Sequence, residues 1–143
     1  MISDLYSGGI LDAAADIPPV QRLEAPQATA TKVSRVCGSE VTVDLSVNDG
    51  VVTAFGMEAK ACALGQASAS IVARNIIGAT VQELYDLRDQ MRAMLKDGGS
   101  APASDRWGDL AMLLPIRDYP QRHASTLLIF EAVCACLDQI SGR

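Results

Sequence analysis

The chain has 143 residues, 49% of them hydrophobic, with 12 Lys+Arg against 17 Asp+Glu for a net charge of −5. A chain of this size can bury a core without disulfide staples or a structural metal, and residues 1–143 read as a single domain. Its acidity, with no basic run and no interleaving of basic and aromatic residues, argues against phosphate-driven nucleic-acid binding.

The N-terminus has no basic segment leading into an apolar stretch with a cleavage site, and the longest apolar runs are short and interrupted. The sequence therefore reads as neither secreted nor membrane-spanning, and its acidity suits a cytoplasmic location. Four cysteines in that setting are reduced thiols, metal ligands or core fillers rather than two structural bridges.

In chain order, Ile2, Leu5, Tyr6 and Ile10 fall at helical spacing and predict a helix over 2–14, weakened by Gly8-Gly9. A break at Ile17-Pro18-Pro19 and a polar stretch to Pro26 precede a strand near Thr29 to Val36. Val41, Val43, Leu45 and Val47 alternate with Thr42, Asp44 and Ser46, which predicts a strand with one buried face. Asn48-Asp49-Gly50 then turns the chain into a second strand over Val51 to Ala59, forming an antiparallel hairpin.

The composition next switches to Ala, Ser and Gly, predicting a helix over 62–77 whose small side chains let it lie close to the sheet, with Gly78 beyond its end. Thr80-Val81-Gln82-Glu83 has a capping-box pattern, and Leu84, Leu87, Met91 and Leu95 continue a helix over 81–96 until Asp97-Gly98-Gly99. A loop over 98–104 and a short helix around Trp107 to Leu113 follow. Pro120 opens a helix over 119–139 that turns Leu127, Phe130, Val133, Cys134, Leu137 and Ile140 inward.

Two cysteines sit where the backbone changes state. Cys37 ends an extended run and opens the turn Cys37-Gly38-Ser39-Glu40, while Cys62 opens the Ala/Ser-rich helix, and the hairpin between them would bring the thiols together. At a helix start the free N–H groups and the positive end of the dipole favour a negatively charged sulfur, although a small buried hydrophobe fits Cys62 equally well. Cys134 and Cys136 lie two apart on a helix, cannot readily chelate one ion together, and read as core thiols. His123 is the single histidine and either approaches that site or faces solvent. Arg117, Asp118 and Arg122 read as a solvated charged face. No Gly-rich phosphate loop, Gly-x-Ser-x-Gly elbow or His-Glu-x-x-His zinc motif is present.

Cys37-Gly38, the alternating strand, Asn48-Asp49-Gly50, Cys62 before Gly65-Gln66-Ala67-Ser68-Ala69-Ser70, Gly108-Asp109-Leu110-Ala111 and Tyr119-Pro120-Gln121-Arg122 occur in one order. That order resembles the IscU/NifU/SufU iron–sulfur cluster scaffold family, its SufU-like branch above all, from Leu5 to Leu137. The resemblance implies an α+β fold (SufE/NifU-like), in which helices pack on a small three-stranded antiparallel sheet. In the family three cysteines and an aspartate, or a nearby histidine, surround a site at one end of the sheet.

Carried over by position, the first two family cysteines fall on Cys37 and Cys62. Ser39 stands where the family has aspartate and Ser125 where it has the third cysteine, with Ala124 at the preceding histidine or lysine and His123 one position earlier. Neutral hydroxyls are poor replacements for a carboxylate and a thiolate toward iron or zinc, so His123, Glu40 or an exogenous ligand would have to complete a tetrahedral site.

The resemblance implies a scaffold or carrier without turnover, holding iron, a transient iron–sulfur cluster or zinc through Cys37 and Cys62, or no metal when isolated. A cysteine desulfurase and cluster-accepting apoproteins are the implied partners, with no nucleic acid and no membrane. Two other readings stand: a sulfur-acceptor or thiol-redox protein, and a metal-free interaction protein of the same fold.

Overall fold

In the computed structural model, which describes residues 8–15, 20–35 and 38–142, three strands form one antiparallel sheet in the order β1-β2-β3. They are β1 (Ala28–Ser34), β2 (Ser39–Asn48) and β3 (Val51–Lys60). The central strand follows from its alternation: Val41, Val43 and Leu45 are fully buried on the face that the helices cover. Asp49 and Gly50 have φ of 55° and 76°, the positive values that a tight two-residue hairpin turn requires. A bulge at Ser46/Val47 interrupts the β2–β3 register.

The helices are α1 (Gly8–Ala15), α2 (Ala63–Asn75), α3 (Val81–Lys96) and α4 (His123–Ser141), with 3-10 segments Gly108–Asp118 and Pro120–Arg122 before the last. The predicted α3 is matched end to end. Thr80 Oγ1 accepts from the Glu83 N–H at 3.1 Å and the Glu83 carboxylate accepts from the Thr80 N–H at 3.2 Å, closing the capping box.

Other boundaries move. The first helix starts at Gly8, and its predicted beginning at 2–7 lies outside the described residues, as does the break at 17–19. The 3-10 segment after Trp107 runs five residues further than predicted, to Asp118, and contains Pro115. Pro120 heads a 3-10 turn rather than α4 itself.

α4 is the core helix. By length and composition Pro120–Ser141 could cross a membrane, but 61% of its most apolar window is buried inside the fold, against β1, β2, α2 and α3. Burial from several directions explains why it is apolar nearly all round.

The second face of the sheet departs from expectation. The alternation predicts one buried face, yet Asp44 on the opposite face is fully buried. Residues 20–27 cross that face as a strap. Asp44 accepts from Arg22 Nε at 2.6 Å, Arg22 Nη2 at 3.0 Å, the Leu23 N–H at 2.9 Å and Thr29 Oγ1 at 2.7 Å. Gly56 on β3 is the strap's crossing point, where an added Cβ would fall 2.5 Å from Gln21 O and 2.9 Å from Leu23 N.

Burial pushes the Asp44 carboxyl up, but the hydrogen bonds from Arg22, Thr29 and Leu23 and the Arg22 charge outweigh it and leave the carboxyl below its ordinary value. A depressed folded-state value contributes stability that is present above the unfolded carboxylate value of about 4 and is lost as pH falls through the folded value. Asp44→Ala strands the Leu23 and Thr29 donors and is expected to cost about 3 kcal/mol at neutral pH, lowering Tm on the order of 10 °C. Thermal unfolding at pH 7 and pH 3 checks this: the gap between wild type and variant narrows in acid.

Candidate thiol site at the end of the sheet

Three segments of chain meet where β2 begins and β3 ends. The register pairs Glu40 with Lys60, so the hairpin returns the chain to the start of β2 just before α2 begins. Cys62 is the N-cap of α2, in extended conformation (φ −67°, ψ 172°), and no side chain caps the helix there. Its backbone N–H donates to Ser39 Oγ at 3.4 Å. From α4, Ser125 Oγ lies 3.7 Å from Cys62 Sγ. Cys62 is half-buried, whereas Ser39 and Ser125 are nearly fully buried.

The small residues of α2 create this meeting, less through the contact with the sheet that the sequence predicts, which α2 makes with β3, than through close approach to other helices. They bring α2 against α4. At Gly65 an added Cβ would fall 3.2 Å from Ser125 O, and Ser68 Oγ donates to Thr126 O at 2.9 Å across the same seam. Close approach of the two helices is what carries Ser125 to the thiol.

Ser125 also donates to Arg122 O at 3.2 Å, which leaves its oxygen lone pairs for the Cys62 S–H. If the sulfur is a thiolate or carries an added sulfur, the Ser125 hydroxyl can turn its proton from the carbonyl to that sulfur. Ser125 is thus a reversible hydrogen-bond partner rather than a charged ligand.

His123 is buried elsewhere. Its Nε2 lies 3.0 Å from Ile116 O and 3.1 Å from Arg117 O; both are acceptors, so Nε2 carries the proton. On an ideal helix positions 123 and 125 are about 200° apart, which turns His123 away from the side that Ser125 presents to Cys62. Glu40 follows Ser39 on β2, and strand alternation points the two side chains to opposite faces. Cys37 lies outside the described residues, so its distance to Cys62 does too.

Cys134 and Cys136 are core thiols. Their Sγ atoms lie 3.7 Å from Leu84 O and 3.3 Å from Val43 O, and burial pushes both pKa values up to about 12, so they stay protonated at neutral pH. The charged face expected around His123 is corrected for both arginines. Arg117 donates through Nε to Met94 O at 2.8 Å and through Nη2 to Gly99 O at 2.5 Å, tying down the C-terminal end of α3. Such carbonyls attract a guanidinium because they lack helical partners. Arg122 is half-buried and contributes its carbonyl to Ser125 and Thr126; Asp118 alone is exposed.

Among the described residues no group of three or more His, Cys, Asp or Glu side chains is placed to hold a metal ion. The described donors at the site are one thiol and two neutral hydroxyls, too weak a set to close a zinc or iron site by itself. Sequence reasoning missed the Arg122 carbonyl, since a backbone acceptor has no signature in residue type.

These features define a class: an α+β binding domain with a half-buried thiol where a β-hairpin, a small-residue helix and the core helix converge. The chain belongs to the family of the NifU-like N-terminal domain, whose model matches residues 5–126. It is 29% identical over 137 residues to the iron-sulfur cluster assembly scaffold protein IscU of Thermotoga maritima, covering 96% of this chain and 95% of that protein. The crystal structure of a nitrogen-fixing NifU-like protein (N-terminal) from Brucella abortus is 51% identical, covers 99% of this chain and 98% of that one, and superposes with a TM-score of 0.96. A putative iron-sulfur cluster assembly scaffold protein for the SUF system from Fervidobacterium islandicum shares the fold at 23% identity, with a TM-score of 0.83 over 93% of this chain and 96% of its own.

Proposed function

We propose that this chain is a scaffold for iron–sulfur cluster assembly, with Cys37 and Cys62 as the thiolates that receive iron and sulfide as cargo. The convergence of Ser39 and Ser125 on Cys62 carries the reading, because Ser39 from β2 reaches the Cys62 backbone N–H and Ser125 from α4 reaches its thiol at the end of the sheet. Family membership and the Thermotoga scaffold relative support it. Cys37 precedes Ser39 by two residues, and that connectivity supports it as the second thiol.

Ser39 and Ser125 occupy the places of stronger family ligands, so the cargo is held by few donors and released readily. His123 would serve as a third ligand only after its ring leaves the Ile116 and Arg117 carbonyls. The chain acts as one domain, in the cytoplasm, between a cysteine desulfurase and cluster-accepting apoproteins, and binds rather than turns over.

A second reading is favoured by the scarcity of strong donors around Cys62. As a sulfur acceptor, the Cys62 thiolate attacks the terminal sulfur of a partner's persulfide; the sulfane sulfur moves to Cys62, the donor cysteine leaves as thiolate, and no net oxidation occurs. Elemental analysis of anaerobically purified protein, with intact-mass measurement of persulfide on Cys37 or Cys62, separates the two. The scaffold gives iron, sulfide or zinc dependent on those cysteines; sulfane sulfur without metal supports the acceptor; neither sinks both.

A further inference from the structure

A second recess, lined by none of the residues at the thiol site, lies elsewhere on the fold. Between the first turns of α3 and the loop that returns over it, a cavity of about 210 Å³ is lined by Glu83, Asp86, Leu87, Gln90, Pro102 and Trp107, among others. Trp107 is 4% exposed, and its indole Nε1–H is buried with no hydrogen-bond partner. An unmatched buried donor of this kind costs about 1–3 kcal/mol, so an acceptor brought to it is rewarded. Among the described residues no cationic side chain lines the recess, while two carboxylates do, one of them paired from the side by Arg106.

The two carboxylates are only partly engaged. Glu83 Oε1 takes the Thr80 N–H at 3.2 Å and lies 3.4 Å from Arg106 Nε, and Asp86 Oδ1 accepts from Gln82 Nε2 at 3.0 Å. Among the described residues, Oδ1 alone of the Asp86 carboxylate has a partner. An occupant must therefore bring both a positive charge and an oxygen acceptor, beside the apolar surface of Leu87 and Pro102. The volume falls below the roughly 300–1,000 Å³ of typical small-molecule sites, which suits one anchoring side chain with its own peptide group better than a whole cofactor.

We propose that this recess is a docking site for a basic peptide segment of a partner protein, an arginine side chain meeting Asp86 and Glu83 while a peptide carbonyl accepts from Trp107 Nε1. The rim charge, the orphaned indole donor and the cavity size each point to that occupant. Arginine is also the cation best matched to carboxylate forks at interfaces. Arg106, next to Trp107, donates to Asn75 O and Ile77 O at the C-terminal end of α2, whose 13 residues put that end about 20 Å from Cys62. A partner held here leaves the thiol open to a second protein.

Trp107 is the single tryptophan, so its indole gives one side-chain N–H signal of its type in a nitrogen–proton correlation spectrum. Titrating the full chain with N-acetyl-argininamide, which carries a guanidinium and two amide carbonyls, is expected to move that signal saturably. N-acetyl-norleucinamide should not. In Asp86→Lys, a change at an exposed position, the arginine probe should bind at least roughly tenfold more weakly, with the remaining spectrum intact. An indole signal that stays still, moves equally with the neutral probe, or responds as strongly in Asp86→Lys would overturn the proposal. Saturable movement by N-acetyl-glutamine amide as well would also overturn it, by showing that charge plays no part.

Discussion

Cys37→Ala with Cys62→Ala is expected to abolish retention of iron, sulfide or zinc, while Cys134→Ala leaves retention nearly intact. The reason is the ligand count. At Cys62 the described neighbours are the neutral hydroxyls of Ser39 and Ser125, which cannot replace a thiolate toward a metal. Cys134 is buried between helices and its thiol is held protonated, so its loss costs about 1 kcal/mol of stability and no ligand. Metal content per chain after anaerobic loading and desalting reads the difference. Undiminished metal in the double variant would place the site elsewhere.

Ser39→Asp with Ser125→Cys has the opposite sign. Ser125 Oγ already sits 3.7 Å from Cys62 Sγ, so a sulfur at position 125 joins the existing thiol with little movement, and a carboxylate at position 39 enters from the start of β2. Two thiolates, a third sulfur and a carboxylate suit tetrahedral zinc and a small iron–sulfur cluster. Zinc titration against a competing chelator should show affinity at least roughly tenfold tighter than wild type, about 1.4 kcal/mol. Equal affinities in a folded double variant would mean that the native site is complete by another route.

Much of the fold was legible because local signals agreed. The alternation around Val43, the Asn48-Asp49-Gly50 turn and the Thr80/Glu83 capping box each stem from near neighbours, and each reappears in the structure. Features set by distant contacts were not legible. Asp44 reads as a solvent-facing position, and only the strap from Arg22 to Pro26, with no periodicity of its own, reverses that. The Ala/Ser pattern of α2 announces close packing but does not say against what; α1 and α4, more than the sheet, are the partners.

At the site, the family resemblance named Ser39 and Ser125, and both hydroxyls lie beside Cys62. The hairpin register that brings Ser39 there is legible in the strand alternation, whereas the α2–α4 seam that brings Ser125 is not. The direction of His123 depends on where α4 begins. A 3-10 turn over Pro120–Arg122 fixes that start and delivers the ring to the Ile116 and Arg117 carbonyls. Arg117 likewise looked solvated because the end of α3 that it binds lies 18 to 23 residues away in sequence.

The scaffold role is tested most directly by cluster transfer. The chain is incubated anaerobically with a cysteine desulfurase, L-cysteine and ferrous iron, repurified, and mixed with an apo-ferredoxin whose visible spectrum reports cluster acquisition. Wild type should arrive carrying iron and sulfide and convert the ferredoxin to its holo form, whereas Cys62→Ala should deliver none. Conversion at the same rate and extent with wild type, with Cys62→Ala and with no chain at all would contradict the role.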